Sequence, residues 1–127
     1  MDLLSNQQPL CTVIVTCKGR LEHLKQAWFC LLENRPPFGH EVVIVDYGCP
    51  DDTFDWSMGA CDPRVGMTRC VRVQDDTSIF NKAHAQNIGV RFARGYLLAF
   101  VDADALVGQN FLRDMAAPVL LTMLQDA

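Results

Sequence analysis

Two aspartates stand directly after an apolar run in the last third of the chain. The run covers residues 96–101, and Asp102 and Asp104 follow it within the segment GYLLAFVDADALV. An apolar run bounded by a glycine and an acidic turn predicts a strand that is buried on both faces. Residues two apart on an extended chain point the same way, so both carboxylates would face one side of the strand's exit. Oxygen ligands at this spacing suit Mg²⁺ or Mn²⁺, which would hold phosphate oxygens in its remaining coordination positions.

The D-x-D triplet is by itself a weak indication of a metal site. Short acidic triplets occur by chance, and the simplest alternative is that Asp102 and Asp104 are solvated loop carboxylates. The interpretation therefore depends on which other side chains the fold brings to the same place.

Length and composition predict a single soluble domain over residues 1–127. Half of the residues are hydrophobic and 20% are charged, which is ordinary for a globular protein. The net charge of −4 argues against a nucleic-acid partner or an anionic membrane surface. The sequence shows neither a signal-peptide pattern nor an apolar run of the roughly 20 residues that span a bilayer. We therefore expect a cytoplasmic protein whose six cysteines are reduced thiols.

Strand and helix patterns alternate along the chain. Strands are predicted at residues 10–17, 41–46, 68–73 and 96–101. Helices are predicted at residues 21 to about 34, from the capping residues 75–78 to about 94, and from about 109 onwards, with a helical turn at 53–58 and Pro118 kinking or dividing the last helix. This order predicts a Rossmann-like α/β fold with a mostly parallel sheet flanked by helices. Ligands bind such sheets beyond the carboxyl ends of the strands, where residues 17–20, 46–48 and 102–104 would meet.

Several common ligand sites of α/β proteins are excluded by their missing motifs. The first strand is followed by TCKGR, which lacks the G-x-G-x-x-G of dinucleotide-binding folds, and neither a P-loop nor a G-x-S-x-G elbow is present. What remains are the cations Lys18 and Arg20 at one strand end, Asp46 at the next, and the acidic triplet at the fourth. This combination suits a diphosphate whose charge is shared between a metal ion and Lys or Arg side chains.

Three segments resemble the nucleotide-binding half of GT-A glycosyltransferases of the family 2 type. They are TVIVTCKGRLEHL, EVVIVDYGCPDD and NKAHAQNIGVRFARGYLLAFVDADALV. The first turn and the run Phe80-Asn81-Lys82 are also similar to β-1,4-galactosyltransferases and chondroitin-type polymerases. The resemblance covers about residues 11–115, and it implies a GT-A nucleotide-diphospho-sugar-binding domain.

The resemblance implies a role for each matched position. The residues that would bind the nucleotide sugar are Thr16, Cys17, Lys18, Arg20, Asp46, Phe80, Lys82 and Asp102. Asp46 would accept a hydrogen bond from uracil, with a turn cap as the alternative reading, and Asp104 would ligate the metal directly while Asp102 lies near the ribose or the metal. Gln86 stands where many members of the family have Arg, so Lys82 would have to supply that charge.

The function that the resemblance implies is transfer of a sugar from a UDP-sugar to a glycan or other hydroxyl acceptor, with inversion and with Mn²⁺ or Mg²⁺ as cofactor. The family's second half binds the acceptor and carries the catalytic base, and this chain has no counterpart of it, so the base is unassigned. A non-catalytic nucleotide-sugar-binding module or remnant, or a nucleotidyltransferase, remains an alternative. The apolar residues near the end of the last helix predict a homo-oligomer formed through that helix.

Overall fold

A computed structural model describes residues 9–60, 67–74 and 79–125. Four strands form one parallel sheet in the order β3-β2-β1-β4, with bounds β1 (Cys11–Cys17), β2 (His40–Tyr47), β3 (Met67–Val73) and β4 (Leu97–Asp102). The helices are α1 (Leu21–Leu32), α2 (Thr53–Gly59), α3 (Lys82–Phe92) and α4 (Phe111–Gln125). The predicted Rossmann-like α/β fold with a parallel sheet is confirmed.

The central strands β1 and β2 are buried along their whole length. Their sequences, CTVIVTC and HEVVIVDY, are rich in β-branched residues, which pack well on a pleated surface that is covered on both sides. Helices α1 and α4 cover one face with side chains that include Trp28 and Leu112, and α3 covers the other with Ala85 and Ile88. The sheet is therefore the middle of three layers.

Helix α3 lies close to the sheet because Gly89 has no side chain. A Cβ atom at this position would lie 2.4 Å from Cγ2 of Ile14 and 3.3 Å from Cγ2 of Val45. The first distance is far shorter than a real carbon–carbon contact, so any larger residue would push the helix outward. The glycine thus fixes the height at which α3 stands above the sheet.

Strand β4 is an edge strand, and the prediction that it is buried on both faces is wrong. Ala99 and Val101 are buried on the side of α1 and α4, but Leu98 and Phe100 are 36% and 49% exposed on the other side. The reason is that α3 packs against β1 and β2. Within the described residues β4 pairs with β1 alone. The apolar run of residues 96–101 therefore predicted the strand but not which elements cover its two faces.

Two helices differ from the sequence prediction at their ends. Helix α3 begins at Lys82, because the Asn81 side chain accepts a hydrogen bond from the N–H of His84 (3.0 Å). The predicted caps at 75–78 lie outside the described residues. Helix α4 begins at Phe111 and runs through Pro118 as one element, so the proline does not divide it. No helix in the described part of the chain has the length and apolar character needed to cross a membrane.

A buried carboxylate at the amino end of the sheet joins four segments of the chain. Oε2 of Glu41 accepts hydrogen bonds from the Thr12 hydroxyl (2.7 Å) and the Arg94 N–H (2.6 Å). Its Oε1 atom accepts from the guanidinium groups of Arg69 (3.0 Å) and Arg94 (3.2 Å). The Thr12 hydroxyl in turn accepts from the N–H of Gly95 (2.9 Å). The network ties β2 to β1, to β3 and to the connection between α3 and β4, and no pattern in the sequence indicated it.

The partners of Glu41 outweigh the cost of burying its charge. Burial raises the pKa of a carboxyl group, yet the hydrogen bonds from Thr12 and the Arg94 N–H, together with the charges of Arg69 and Arg94, bring the pKa of Glu41 below its ordinary value of 4.5. A lowered pKa means that ionised Glu41 stabilises the fold above about pH 4.5. That stabilisation is lost as the pH falls through the lowered, folded-state pKa.

We expect Glu41→Gln to lower the free energy of unfolding at pH 7 by about 2–4 kcal/mol, because it leaves two arginines without their buried anion. Urea denaturation measures the loss. Glu22→Gln is the matched control, since Glu22 forms an ion pair of 3.4 Å with Lys25 but is 82% exposed, and it should change stability by less than about 0.5 kcal/mol. The difference between wild type and Glu41→Gln should shrink as the pH falls below 4.5. A difference that is independent of pH would contradict the role of the ionised carboxylate.

Candidate nucleotide-sugar site

The carboxyl ends of β1, β2 and β4 lie level with one another. Cys17 is the register partner of Asp46, and Thr16 is the register partner of Asp102. The turns that follow these strands therefore meet at one edge of the sheet, where a cavity of about 290 Å³ opens. The residues that line it are Thr16, Lys18, Arg20, Phe80, Lys82, Asp102, Ala103 and Asp104. The structure thus brings together all the predicted site residues except Cys17 and Asp46.

The turn after β1 presents two cations to the cavity. It is a tight turn in which Gly19 adopts a φ of +66°, a conformation that favours glycine. The Lys18 ammonium donates hydrogen bonds to the carbonyl oxygens of Tyr47 (3.2 Å) and Gly48 (3.5 Å). It also lies 5.6 Å from the centroid of the Tyr47 ring. Lys18 is therefore held against the turn after β2, whereas Arg20 is exposed and lines the cavity.

Several aromatic side chains pack together where β2 ends and α3 begins. The Tyr47 ring packs against Phe80 with ring centroids 5.6 Å apart, and its hydroxyl forms a hydrogen bond of 2.8 Å with Nδ1 of His84. Tyr47 is buried while Phe80 is 39% exposed, so Phe80 offers a ring face at the rim of the cavity. Sequence reasoning missed Tyr47 and His84. The available signal for Tyr47 was its position, an aromatic residue at the carboxyl end of a predicted central strand. No sequence pattern indicated His84.

The two carboxylates of the D-A-D triplet differ in their partners. Oδ1 of Asp102 lies 2.6 Å from the Lys82 ammonium, and both side chains are about half exposed. Asp104 is exposed and forms neither an ion pair nor a side-chain hydrogen bond within the described residues. An exposed ion pair contributes little net free energy, so the partners of Lys82 and Asp102 can be exchanged at low cost. The cavity therefore holds three cations, one paired carboxylate and one unpaired carboxylate.

Asp46 is buried behind the cavity, where it supports a turn. It is 1% exposed, and its Oδ1 atom accepts a hydrogen bond from the Cys49 N–H (2.9 Å). Its Oδ2 atom has no hydrogen-bond partner among the described residues and lies 3.9 Å from Nε of Arg72. The hydrogen bond from the Cys49 N–H to Oδ1 is that of a turn cap, which is the alternative interpretation of Asp46 given in the sequence analysis. Recognition of uracil by Asp46 stays a prediction.

Cys17 is also turned away from the cavity. Its side chain is 1% exposed and belongs to the core on the side of α1 and α4. Hydrogen bonds to the sulfur, first from the Cys49 thiol and then from the Arg20 N–H and the Thr53 hydroxyl, lower the pKa of Cys17 although burial opposes them. Its neighbours Thr16 and Lys18 line the cavity, whereas the thiol of Cys17 has a separate environment.

Comparison with known proteins identifies the class to which this fold and site belong. The family described as glycosyl transferase family 2 matches residues 12–121. The Staphylococcus aureus protein TarS, in a structure of its residues 1–349, superposes with a TM-score of 0.70 and 22% identity over 84% of this chain and 31% of TarS. A further TarS structure, with the same TM-score, is a complex with UDP-GlcNAc.

Two further relatives have higher sequence identity. The mannosyltransferase PcManGT from Pyrobaculum calidifontis, solved with GDP-Man and Mn²⁺, is 27% identical with a TM-score of 0.68, over 83% of this chain and 30% of PcManGT. The protein y4gI from Sinorhizobium fredii is 30% identical over 112 residues, which are 86% of this chain and 12% of y4gI. The chain thus spans about a third or less of the proteins it matches. It has the GT-A fold, and it belongs to glycosyl transferase family 2.

We expect Asp46→Ala to lower the free energy of unfolding by about 1–3 kcal/mol, because it leaves the buried Cys49 N–H without an acceptor. Asp46→Asn keeps an acceptor oxygen in the same place and should cost less than about 1 kcal/mol. Thermal or urea denaturation of both variants measures the difference. Equal losses in the two variants would mean that the charge of Asp46, and not its bond to the turn, supports the structure.

Proposed function

We propose that this chain is the donor-binding domain of a glycosyltransferase that uses a UDP-sugar and a divalent metal ion. The observation that carries the proposal is the grouping of three cations and two carboxylates around one cavity at the carboxyl edge of a parallel sheet. Sites of this composition suit a diphosphate, whose negative charge needs several cations, together with a metal ion that needs oxygen ligands. Membership of glycosyl transferase family 2 and the nucleotide sugars bound by TarS and PcManGT support this choice of ligand.

The cations have distinct parts in the proposed complex. Lys18 is fixed by two carbonyl oxygens and would hold the diphosphate from the side of β1 and β2. Lys82 would hold it from the side of α3, after giving up Asp102. Arg20, which has no ion pair within the described residues, would complete the contact with a bidentate guanidinium. Phe80 would pack its exposed ring face against the ribose or the base.

The acidic triplet fits a divalent metal of the Mg²⁺ or Mn²⁺ type. Asp102 and Asp104 are exposed at the cavity, and within the described residues no cluster of three or more His, Cys, Asp or Glu converges on a point. A site with two carboxylates suits an ion that takes its remaining ligands from water and substrate phosphates, as Mg²⁺ does in phosphate-binding enzymes. Asp104 would be the direct ligand, and Asp102 would lie near the ribose or the metal once Lys82 has released it. The ion would supply positive charge to the departing diphosphate.

Transfer of the sugar also needs a base that deprotonates the acceptor hydroxyl. The described residues that line the cavity include no carboxylate besides Asp102 and Asp104. We therefore propose that the base lies outside this cavity, together with the acceptor site that would set the proposed inversion. The same observation favours a second candidate, a module that binds nucleotide sugar without transferring it.

We expect UDP to bind in the presence of Mn²⁺ and to lose at least about tenfold in affinity when the metal is chelated. The physical reason is that the carboxylates repel the diphosphate unless a cation stands between them. Calorimetric titration with UDP and with GDP, each with Mn²⁺ and with chelator, measures both the metal dependence and the choice of base. Equal affinity with and without chelator would refute the metal role. Tighter binding of GDP would refute the choice of uridine.

We expect Asp104→Asn to weaken Mn²⁺-dependent UDP binding about tenfold or more, and Asp102→Asn to weaken it less. Loss of Asp104 removes the unpaired carboxylate, whereas loss of Asp102 releases Lys82 for the diphosphate and so compensates in part. Asp114→Asn is the matched control, because Asp114 lies on α4 away from the cavity and should leave the affinity unchanged. The reverse order of the two effects would exchange the roles of the two aspartates.

A further inference from the structure

Two cysteine thiols meet behind the cavity. Cys17 is the last residue of β1, and Cys49 lies in the turn after β2. The Cys49 thiol donates a hydrogen bond of 3.2 Å to the carbonyl oxygen of Cys17, and both side chains belong to the same buried cluster. Both residues are buried, at 1% and 7% exposure, and both carry free thiols. The proposed sugar transfer makes no use of either sulfur.

The Cys49 sulfur supports the turn that carries the cations of the cavity. It accepts a hydrogen bond from the Gly19 N–H (3.3 Å). Lys18, on one side of Gly19, is bonded to the carbonyl oxygen of Gly48 beside Cys49 (3.5 Å), and Arg20 follows on the other side. A change in the bonding of the Cys49 sulfur would therefore act on the turn between Lys18 and Arg20.

We propose that Cys17 and Cys49 form a reversible disulfide that switches the cationic turn between two arrangements and so controls access of nucleotide to the cavity. The control of nucleotide binding rests on the proposed function, whereas formation of the disulfide does not. The two sulfurs would close to the S–S bond length of about 2.05 Å. A disulfide has no S–H group, so Cys49 would lose its donor to the Cys17 carbonyl, and its new position would strain the bond from Gly19.

The oxidant is a low-molecular-weight disulfide, and the reaction is an exchange. One cysteine thiolate attacks a sulfur of the small disulfide, forms a mixed disulfide and releases one small thiol. The second cysteine then attacks the protein sulfur, closes the Cys17–Cys49 bond and releases the second small thiol. The protein loses two protons and two electrons, which together are two hydrogen atoms, and the small disulfide gains them. A small dithiol reverses both steps.

Cys17 is the more reactive sulfur of the pair. The hydrogen bond from Cys49 lowers the pKa of Cys17, so this sulfur has the greater thiolate character, while that hydrogen bond and burial raise the pKa of Cys49. Burial also raises the pKa of Cys11 to about 12 and that of Cys70 to about 11. Cys49 lies outside the strands in a turn that contains Gly48 at a φ of +61°. Displacement of this turn would expose the Cys49 sulfur without breaking the hydrogen bonds of the sheet.

The test is oxidation of the full 127-residue chain with oxidised glutathione, followed by non-reducing peptide mapping and titration with UDP and Mn²⁺. We expect a mass lower by two hydrogens, a peptide that joins Cys17 to Cys49, and a UDP affinity lowered at least about tenfold. Reduction with a dithiol should restore both the mass and the affinity. Cys49→Ser replaces the thiol with a hydroxyl, which cannot form a disulfide. This variant should therefore show neither the disulfide nor the effect of oxidant. Cys30→Ser, which changes a cysteine on α1, should leave both intact.

The outcomes separate this proposal from the proposed function. A disulfide between other cysteines, or none, overturns the assignment of the pair whatever the nucleotide result. A Cys17–Cys49 disulfide with unchanged UDP affinity overturns the control of the cavity. If the reduced chain binds no UDP, the proposed function fails, and the control of nucleotide binding fails with it. The peptide map then still decides whether the thiol pair forms the disulfide.

Discussion

The buried carboxylate of Glu41 is the interaction on which the rest of the structure depends. A charge in the interior is tolerated only when its acceptor positions are filled, and here they are filled by Thr12, Arg69 and Arg94. These residues come from β1, from β3 and from the connection between α3 and β4. Satisfying one carboxylate therefore brings three parts of the chain into a fixed relation to β2.

The two ends of the sheet therefore have different roles. At the amino end, buried and directional bonds hold the strands in register, and at the carboxyl end the turns are free to carry exposed side chains. Lys82 and Asp102 are half exposed there, whereas Glu41 is fully buried. Side chains that bind ligands need solvent access and freedom to change partners, and a rigid scaffold below them supplies the precision that loops lack. Gly89 adds to this precision, since it fixes the height of α3 above β1.

The features that follow from local patterns could be predicted from the sequence. β1 and β2 were predicted to within one residue at each end, because continuous β-branched runs occur where strands are covered on both faces. The meeting of Lys18, Arg20 and Asp102 followed from parallel topology, since all carboxyl ends share one edge, whereas Lys82 was placed there by the resemblance to the family. The Glu41 network, the exposure of Phe100 and the inward positions of Asp46 and Cys17 could not be predicted. Each depends on a partner, or a missing cover, from a distant part of the chain.

The ion pair of Lys82 and Asp102 gives the candidate site an internal counterion. A cation that takes Asp102 releases the ammonium of Lys82, and an anion that takes Lys82 releases the carboxylate of Asp102. Each ligand therefore creates a binding group for the other. By thermodynamic linkage, the factor by which the cation tightens anion binding equals the factor by which the anion tightens cation binding. A single exposed ion pair would thus couple the binding of a cation to the binding of an anion at the candidate site.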